Sequence, residues 1–373
     1  MTKITIVNDK QQLKAFIDFP HELYKADKNY VPELFIAQRD LLTKHPFLKH
    51  SEIKLFLAYE NDILVGRIAG ILNNNHNSFN HKNEGFFGFF DVIDNLEVAK
   101  ALFEQAEQWL KTKAVDTIVG PVNPSTNETC GLLVKGFDTP PVAMMTYNFP
   151  YYQTIIEQLG YKKQTDLLAY DIYAKDFNDK PFRLMNAFEE RLNKNGITIR
   201  QANLKNFDVE VESLRKVYNE AWDKNLGFVP MTDEEFRYMA KDLKLVIDKD
   251  FCLVAEKEGK LIAFALCIPD INQIQIKIKK GRLLPTGIFK LLLGKKKINA
   301  IRVIALGVTE PYRKMGIEAV FYGQIIKKGI ERGFQHAEAS WILEDNEMMN
   351  RAIQHINGKP YKTYRLYEKQ IIQ

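Results

Sequence analysis

The chain has 373 residues, of which 46% are hydrophobic and 27% charged, and its formal net charge is +5. This length is large for one hydrophobic core, so we expect two domains. No apolar run of 18 residues exists and the N-terminal stretch lacks an apolar core, so neither a membrane span nor a signal peptide is predicted. The three cysteines cannot form a disulfide framework, which favours reduced thiols and a cytoplasmic protein.

The positive charge is concentrated in one segment. Residues 271–300 contain eight basic residues and no acidic one, so this segment alone exceeds the net charge of +5. A basic surface spread over the whole protein is therefore not expected, and we expect no nucleic-acid partner. Because residues 276–297 alternate apolar blocks with lysines, they are interpreted as a solvated flap, a peripheral contact with an anionic membrane, or the lining of a fatty acyl channel.

The first half of the chain predicts alternating strands and helices. A strand at Ile4-Thr5-Ile6 precedes a helix, residues 55–71 predict a β-hairpin, and residues 86–92 predict a further strand. A helix at residues 96–113 and a short strand at 117–119 follow. The long polar and aromatic loop after them, residues 120–152, is interpreted either as part of a substrate cleft or as an ordinary connection.

The second half repeats this order of elements. A strand at Ile197-Thr198-Ile199 again precedes a helix, and residues 251–268 again predict a hairpin. Gly66 corresponds to Ala263 at an offset of 197 residues, and Gly160 to Gly358 at an offset of 198. Such steady offsets indicate an internal duplication. We therefore predict an α/β fold with a mixed sheet in two tandem domains, residues 1–174 and 196–373, joined by a connecting helix at 175–195.

The second copy contains a turn that is typical of a phosphate site. A buried strand is predicted at residues 303–308 and a helix from about Met315 to Arg332, with Arg313-Lys314-Met315-Gly316 at the turn. N–H groups at a helix start have no partner inside the helix, and together with the helix dipole they bind phosphate. We interpret Gly316 as allowing close approach of the ligand and Arg313 as adding charge. The matching stretch of the first copy, residues 92–95, is acidic, so no phosphate is expected there.

This pattern resembles the GNAT superfamily of acyl-CoA-dependent N-acyltransferases, in a tandem double-domain form with a degenerate N-terminal copy. The family signature is Arg or Gln, two residues, Gly, one residue, then Gly or Ala; Arg313 and Gly316 match it, and Glu318 departs from it. The resemblance implies acetyl-CoA or another acyl-CoA as co-substrate and transfer, most simply of an acetyl group, to a small-molecule or peptide amine by direct attack on the thioester. The residues implied in coenzyme binding are Leu306, Gly307, Val308, Arg313, Lys314, Met315, Gly316, Ile317, Glu318 and Asn346.

Two residues are candidates for proton transfer. Glu338, on a predicted strand, is the candidate base. Many members of the superfamily use a tyrosine of the last helix to protonate the leaving thiolate; this sequence has none there, and His355 takes its place as candidate acid. Each has a simpler interpretation: Glu338 as a solvated strand charge, His355 as a helix-end histidine, and Asn346 as a helix N-cap. No metal site is predicted.

Two other function classes remain open. A non-catalytic acyl-CoA- or membrane-binding protein that retains the fold is favoured by Glu318 and by the missing tyrosine. The third hypothesis is an aminoacyl- or peptidyl-transferring enzyme, because tandem GNAT-like domains resemble that group as well. Such an enzyme would need a wider basic track for its tRNA than a single inserted segment provides.

Overall fold

The computed structural model describes residues 2–177, 180–222 and 228–371, apart from the side chains of residues 180 and 181. The chain divides into two compact units. Unit 1 comprises Met1–Leu167, Asn272–Lys296 and Lys362–Gln373, and unit 2 comprises Leu168–Ile271 and Lys297–Tyr361. Residues 178–179, within the predicted connecting helix, lie outside the described residues.

Strands and helices alternate along the chain. The strands are β1 (Lys3–Ile6), β2 (Glu52–Glu60), β3 (Ile63–Leu72), β4 (Glu84–Val92), β5 (Thr117–Gly120), β6 (Val122–Asn123), β7 (Thr129–Cys130), β8 (Leu132–Lys135), β9 (Lys162–Tyr173), β10 (Ile197–Gln201), β11 (Cys252–Lys257), β12 (Lys260–Pro269), β13 (Ala300–Val308), β14 (His336–Leu343) and β15 (Lys359–Gln370). The helices are α1 (Lys10–Leu23), α2 (Phe35–Thr43), α3 (Asn74–Asn80), α4 (Leu96–Lys111), α5 (Tyr151–Gln158), α6 (Lys180–Lys194), α7 (Phe207–Trp222), α8 (Asp233–Leu243), α9 (Asn272–Gln275), α10 (Ile288–Gly294), α11 (Ile317–Glu331) and α12 (Glu347–His355). Across the part of the chain that the structure describes, none of these helices combines the length and the apolar character needed to cross a bilayer.

The sheet of unit 1 is mixed. Its strands lie in the order β1-β2-β3-β4-β5-β15, and only β4 and β5 in this series pair in parallel. Helix α4 packs on the sheet through Val98, Leu102 and Phe103, which are at most 2% exposed and recur at helical spacing. The approach of α4 to β3 requires Gly66, because a Cβ there would lie 2.8 Å from the Cδ1 of Leu102.

The sheet of unit 2 repeats this plan. Strands β10, β11, β12 and β13 are antiparallel neighbours in that order, and β13 pairs in parallel with β14. Alternate residues of β12 serve different helix layers: Ala263 and Ala265 belong to the core formed with α11, and Phe264 belongs to the core formed with α7 and α8. Ile317 and Phe321 of α11 are fully buried in the first of these cores.

The two units match in hairpin register as well as in element order. Ala58 of β2 lies opposite Gly66 of β3, and Ala255 of β11 lies opposite Ala263 of β12. Both hairpins shift register directly after that alanine, a bulge repeated at the offset of 197 residues that the sequence indicated. The predicted α/β fold with a mixed sheet is confirmed, and the repeated bulge supports the duplication.

The basic segment, predicted as part of the second domain, packs in unit 1. There Asn272 Nδ2 donates to the Pro141 carbonyl (3.0 Å), and Gln275 Nε2 donates to the Pro32 carbonyl (3.1 Å). The two compact units are sets of residues that contact one another, whereas the two predicted domains are the two copies of the sequence repeat. The domain boundaries at residues 174 and 196 therefore stay a prediction.

Candidate active site in unit 2

Strands β13 and β14 separate after four paired positions. Their parallel register runs from Ala300 opposite His336 to Val303 opposite Ala339, whereas the strands continue to Val308 and Leu343. Where the separation begins, the pairing of β12 with β13 shifts and leaves Ile304 as an extra residue. A bulge bends its strand, which gives a local reason for the divergence. The separation lies beside Leu306, Gly307 and Val308, which the family resemblance implies in coenzyme binding.

The last three residues of β13 keep their pairing with β12 along the other edge. Leu306, Gly307 and Val308 lie opposite residues 265, 264 and 263. Gly307 is closely packed, because a Cβ there would lie 3.0 Å from the Phe264 ring. The Leu306 carbonyl accepts a long hydrogen bond from the Trp222 indole N–H (3.4 Å). At this distance the hydrogen bond is weak.

The turn between β13 and α11 has the geometry of an anion site at a helix start. After a 3-10 turn at Glu310–Tyr312, Lys314 has φ = 67° and Gly316 has φ = 93°. Helix α11 then begins at Ile317, and its first backbone bond runs from the Val320 N–H to the Gly316 carbonyl (3.2 Å). Among the N–H groups before Val320, that of Glu318 bonds its own carboxylate, whereas those of Ile317 and Ala319 come too early in the helix for an intrahelical carbonyl.

The side chains around this turn differ in exposure. Lys314 is exposed, Met315 and Glu318 are half-buried, and Ile317 is in the core. Burial raises the pKa of Glu318, opposed by a hydrogen bond from its own backbone N–H and by the nearby Arg313. A raised pKa means that the negative charge of Glu318 is already disfavoured here. A nearby pyrophosphate would disfavour it further.

Arg313 and Gly316 both have packing roles that the sequence did not reveal. The Arg313 guanidinium donates to the Val308 carbonyl (3.2 Å) and to the Ala221 carbonyl (2.8 Å), and so joins the ends of β13 and α7. A Cβ on Gly316 would overlap the Phe188 ring of α6. Phe188 thus blocks approach from the side-chain direction of Gly316, and close approach of a ligand to its N–H side stays a prediction. The charge of Arg313 is likewise directed at backbone carbonyls.

Glu338 is buried where β13 and β14 are last paired. It lies opposite Arg302, and the two residues are 1% and 2% exposed. Ser340 Oγ donates to Glu338 Oε1 (2.6 Å), Arg302 Nε donates to Ser340 Oγ (3.1 Å), and the Tyr361 hydroxyl donates to Glu338 Oε2. Both carboxylate oxygens thus have a hydroxyl donor. The structure therefore excludes the simpler interpretation of Glu338 as a solvated strand charge.

Tyr361 is the member of this group that sequence reasoning missed. It lies near the start of β15 and is half-buried, so it retains accessible surface that Glu338 lacks. The family resemblance implies a tyrosine on the last helix, whereas Tyr361 lies on the strand after it. No local pattern in the sequence indicates that its hydroxyl reaches a carboxylate 23 positions away. The signal is tertiary.

The structure does not bring the other two candidates to this group. His355 is exposed at the last residue of α12, and none of the hydrogen bonds found among the described residues joins its ring to Glu338. Asn346 is the N-cap of α12, and its side chain accepts from the Met349 N–H (3.1 Å). Its cap role accounts for its position, and its role in coenzyme binding stays a prediction.

Unit 1 has the corresponding parallel strand pair without the turn. The parallel pairing of β4 with β5 ends at Phe86 opposite Val119, although β4 continues to residue 92. Only residues 93–95 connect β4 to α4, and the Asn95 side chain accepts from the N–H groups of Glu97 (3.0 Å) and Val98 (3.3 Å). This helix start is satisfied by its own cap, which supports the prediction of a degenerate first copy.

The long loop of unit 1 lines a cavity of about 120 Å³. Its Asn123 and Tyr147 face this cavity together with His21, Arg67 and Asp91. Arg67 pairs with Asp91 (2.7 Å), and the Nε2 of the buried His21 has no hydrogen-bond partner in the described structure. Burial and the nearby Arg67 lower the pKa of His21 to about 4, so its ring is neutral at pH 7. The loop therefore lines a small cavity, and its interpretation as part of a substrate cleft stays a prediction.

Comparison with known proteins gives two curated relatives that match nearly the whole chain. The chain is 38% identical over 372 residues to protein YghO of Escherichia coli K12, and the match covers 97% of this chain and 94% of YghO. It is 35% identical over 372 residues to the bacterial ceramide synthase of Caulobacter vibrioides, a match that covers 97% of this chain and 96% of that protein. No family model matches the chain.

Solved structures share the fold at low identity. A tandem GNAT protein from the clavulanic acid biosynthesis pathway has a TM-score of 0.58 at 8% identity, over 99% of this chain and 98% of that chain. A GCN5-related N-acetyltransferase from Sphaerobacter thermophilus has a TM-score of 0.56 at 15% identity, over 100% of this chain and 96% of that chain. These likenesses confirm the predicted tandem GNAT-like fold. The chain belongs to the protein family that includes YghO and the bacterial ceramide synthase.

Proposed function

We propose that the protein is an acyl-CoA-dependent N-acyltransferase that joins a fatty acyl group to the amine of a long-chain amino alcohol. The observation that carries the proposal is the divergence of β13 and β14 directly beyond the buried Glu338, with the helix-start turn at the far end of β13. The acceptor class is taken from the name of the Caulobacter relative, because a ceramide is the amide of a fatty acid and a long-chain amino alcohol. Acetyl transfer and a cytoplasmic location stay predictions.

The turn and the strand gap fit an acyl-CoA. N–H groups at the start of α11, from Gly316 onward, would hold the pyrophosphate, and exposed Lys314 adds positive charge beside them. Backbone groups of residues 306–308 would bond the pantetheine arm. Since Arg313 is bonded to backbone carbonyls, we assign it to holding the turn in shape.

The transfer requires one proton to move. The neutral amine attacks the thioester carbonyl, a C–N bond forms and the C–S bond breaks. The amine loses one proton, and the leaving thiolate gains one. Tyr361 is the accessible hydroxyl of the Glu338 group, so it takes the amine proton as its own passes to Glu338, and the reverse movement delivers a proton to the thiolate. Ser340 and Arg302 position the carboxylate.

Coenzyme binding is tested first, by calorimetry with acetyl-CoA and with a long-chain acyl-CoA. We expect one site per chain, with tighter binding of the long chain. Lys314→Glu places a negative charge near the pyrophosphate and is expected to weaken binding about tenfold. Lys327→Glu, at an exposed position of the same helix, is the matched control and should bind like the wild type. If no acyl-CoA binds, the proposal is wrong.

A non-catalytic acyl-CoA-binding protein is the second candidate. It is favoured by the packing roles of Arg313 and Gly316, because these roles preserve the motif without any chemistry. Glu338→Gln separates the two candidates when binding and turnover are measured on the same preparation. An enzyme keeps acyl-CoA binding and loses amide formation with a long-chain amino alcohol. If the wild type binds acyl-CoA and acylates no amine, the binding protein is the correct reading.

A further inference from the structure

The basic segment of unit 1, residues 272–296, exposes a cluster of apolar side chains. On α10, Phe289, Leu292 and Leu293 are 60%, 62% and 76% exposed, and Leu284 just before the helix is 78% exposed. Positions 289, 292 and 293 stand in the i, i+3, i+4 relation and therefore share one helix face. Single exposed apolar residues are normal on a soluble protein, whereas a contiguous cluster marks a contact surface.

The segment has a separate buried side that holds it in place. Ile274 and Ile278 are 6% and 1% exposed. Gly294 packs directly on Ile274, since a Cβ there would lie 2.8 Å from that side chain. The fold of the segment therefore depends on these residues and not on the exposed cluster. The exposed cluster has no role in the core.

Two of the basic residues attach the segment to α1. Arg282 Nη2 pairs with Asp18 (2.7 Å), and its guanidinium lies 3.6 Å from the Phe35 ring centroid. Lys280 pairs with Glu22. These contacts hold the segment in one orientation on unit 1, so its apolar cluster is presented on a fixed support.

The remaining lysines decide which partner fits. Lys277, Lys279, Lys290 and Lys296 are exposed in the same segment as the apolar cluster, and the segment contains no acidic residue. A second copy pairing through this face would set these lysines against their own equivalents, which is repulsive. An anionic lipid surface supplies both complements: an apolar layer for leucine and phenylalanine, and negative headgroups for lysine.

We propose that residues 284–296 dock unit 1 on an anionic lipid surface. Leu284, Phe289, Leu292 and Leu293 enter the boundary between headgroups and acyl chains, and the lysines of the same segment contact the headgroups. The attachment is peripheral and reversible, because one short helix inserts. The proposal stands without the acyltransferase assignment. It accords with that assignment, since a long-chain amino alcohol and its amide partition into bilayers.

Vesicle sedimentation of the full chain tests the apolar part. We expect binding to vesicles of phosphatidylcholine mixed with phosphatidylglycerol, and much weaker binding to phosphatidylcholine alone. In the triple variant Phe289→Ser/Leu292→Ser/Leu293→Ser, each replaced side chain is expected to lower the affinity for the mixed vesicles about tenfold. Binding should therefore fall below detection. The matched control is Val209→Ser/Met348→Ser, at residues 71% and 70% exposed outside the segment, and it should bind like the wild type.

The charge variant Lys290→Glu/Lys296→Glu tests the electrostatic part. Each lysine near an anionic surface contributes about fivefold, so the double reversal is expected to weaken binding to the mixed vesicles by at least about 25-fold. Added salt should weaken the wild type in the same direction. Because Lys290 Nζ also donates to the Lys277 carbonyl (2.7 Å), thermal melting confirms that the variant is folded.

Four results overturn the proposal. The first is a triple-serine variant that binds the mixed vesicles like the wild type, and the second is a wild type that binds neither vesicle. The third is equal binding to both vesicles with no effect of the charge reversal. The fourth is a wild-type dimer in light scattering that the triple-serine variant dissociates, which would make the face an interface between copies. Calorimetry of the triple-serine variant with acyl-CoA keeps this test separate, since coenzyme binding should be unchanged.

Discussion

Tyr361→Phe separates a proton-transfer role from a structural one. The substitution removes the hydroxyl that donates to Glu338 Oε2 and leaves the ring in place. A hydrogen bond to a charged group contributes about 1.5–3 kcal/mol, and because Tyr361 is half-buried we expect the low end, about 1.5 kcal/mol, in the free energy of unfolding. A proton-transfer group contributes about 10²–10⁴-fold to the rate, or about 3–5 kcal/mol in the barrier. The loss of turnover should thus exceed the loss of stability.

The assay measures turnover at saturating acyl-CoA and amine, with urea unfolding on the same preparation. Tyr322→Phe is the matched control, because the Tyr322 hydroxyl of unit 2 donates to a weak acceptor, the Met349 sulfur at 3.4 Å. We expect the control to retain wild-type turnover. If Tyr361→Phe turns over within threefold of the wild type, Tyr361 does not relay the proton. An equal rate loss in both variants would also refute the assignment.

Further predictions concern stability in each unit. Gly316→Ala places an alanine in a left-handed backbone conformation, which costs roughly 1–2 kcal/mol, and its new Cβ overlaps Phe188, so the free energy of unfolding should fall by more than that. In a double-mutant cycle measured by urea unfolding, Phe188→Ala should therefore cost less in this variant than in the wild type. Equal costs would contradict the overlap. Burial lowers the pKa of His21 from 6.5 to about 4, so as the pH falls the unfolded chain binds the proton before the folded chain does. The stability that the neutral ring contributes is therefore complete above pH 6.5 and is lost as the pH falls toward 4. The loss in the free energy of unfolding is at most about 3 kcal/mol. His21→Gln should flatten this slope of unfolding free energy against pH, and an unchanged slope would exclude His21 as its source. Leu102→Ala, at a fully buried position of α4, should lower the free energy of unfolding in urea by about 2–5 kcal/mol. Leu245→Ala, at a position that is 72% exposed, should lower it by less than about 0.5 kcal/mol. Similar losses in the two variants would contradict the described core.

The sequence by itself determined the features that depend on local patterns. Two strand-like runs around an acidic turn predicted each hairpin, and the offset of 197 residues between Gly66 and Ala263 indicated a repeat that the shared bulge supports. The strand, turn and helix around Gly316 were also predicted, because period and turn residues are local properties. The sequence also places the Glu338 carboxylate on a strand, but it does not indicate that this side chain is buried.

Tertiary structure alone decided how these residues are used. Tyr361 meets Glu338, and Phe188 fills the side-chain direction of Gly316, through contacts between segments that are distant in sequence. The basic segment makes the same point for apolar residues. Ile278 is buried and Leu293 is 76% exposed, although both stand in similar runs of apolar residues and lysines. Hydrophobic periodicity shows which residues share a face, and only packing decides which face is covered by protein.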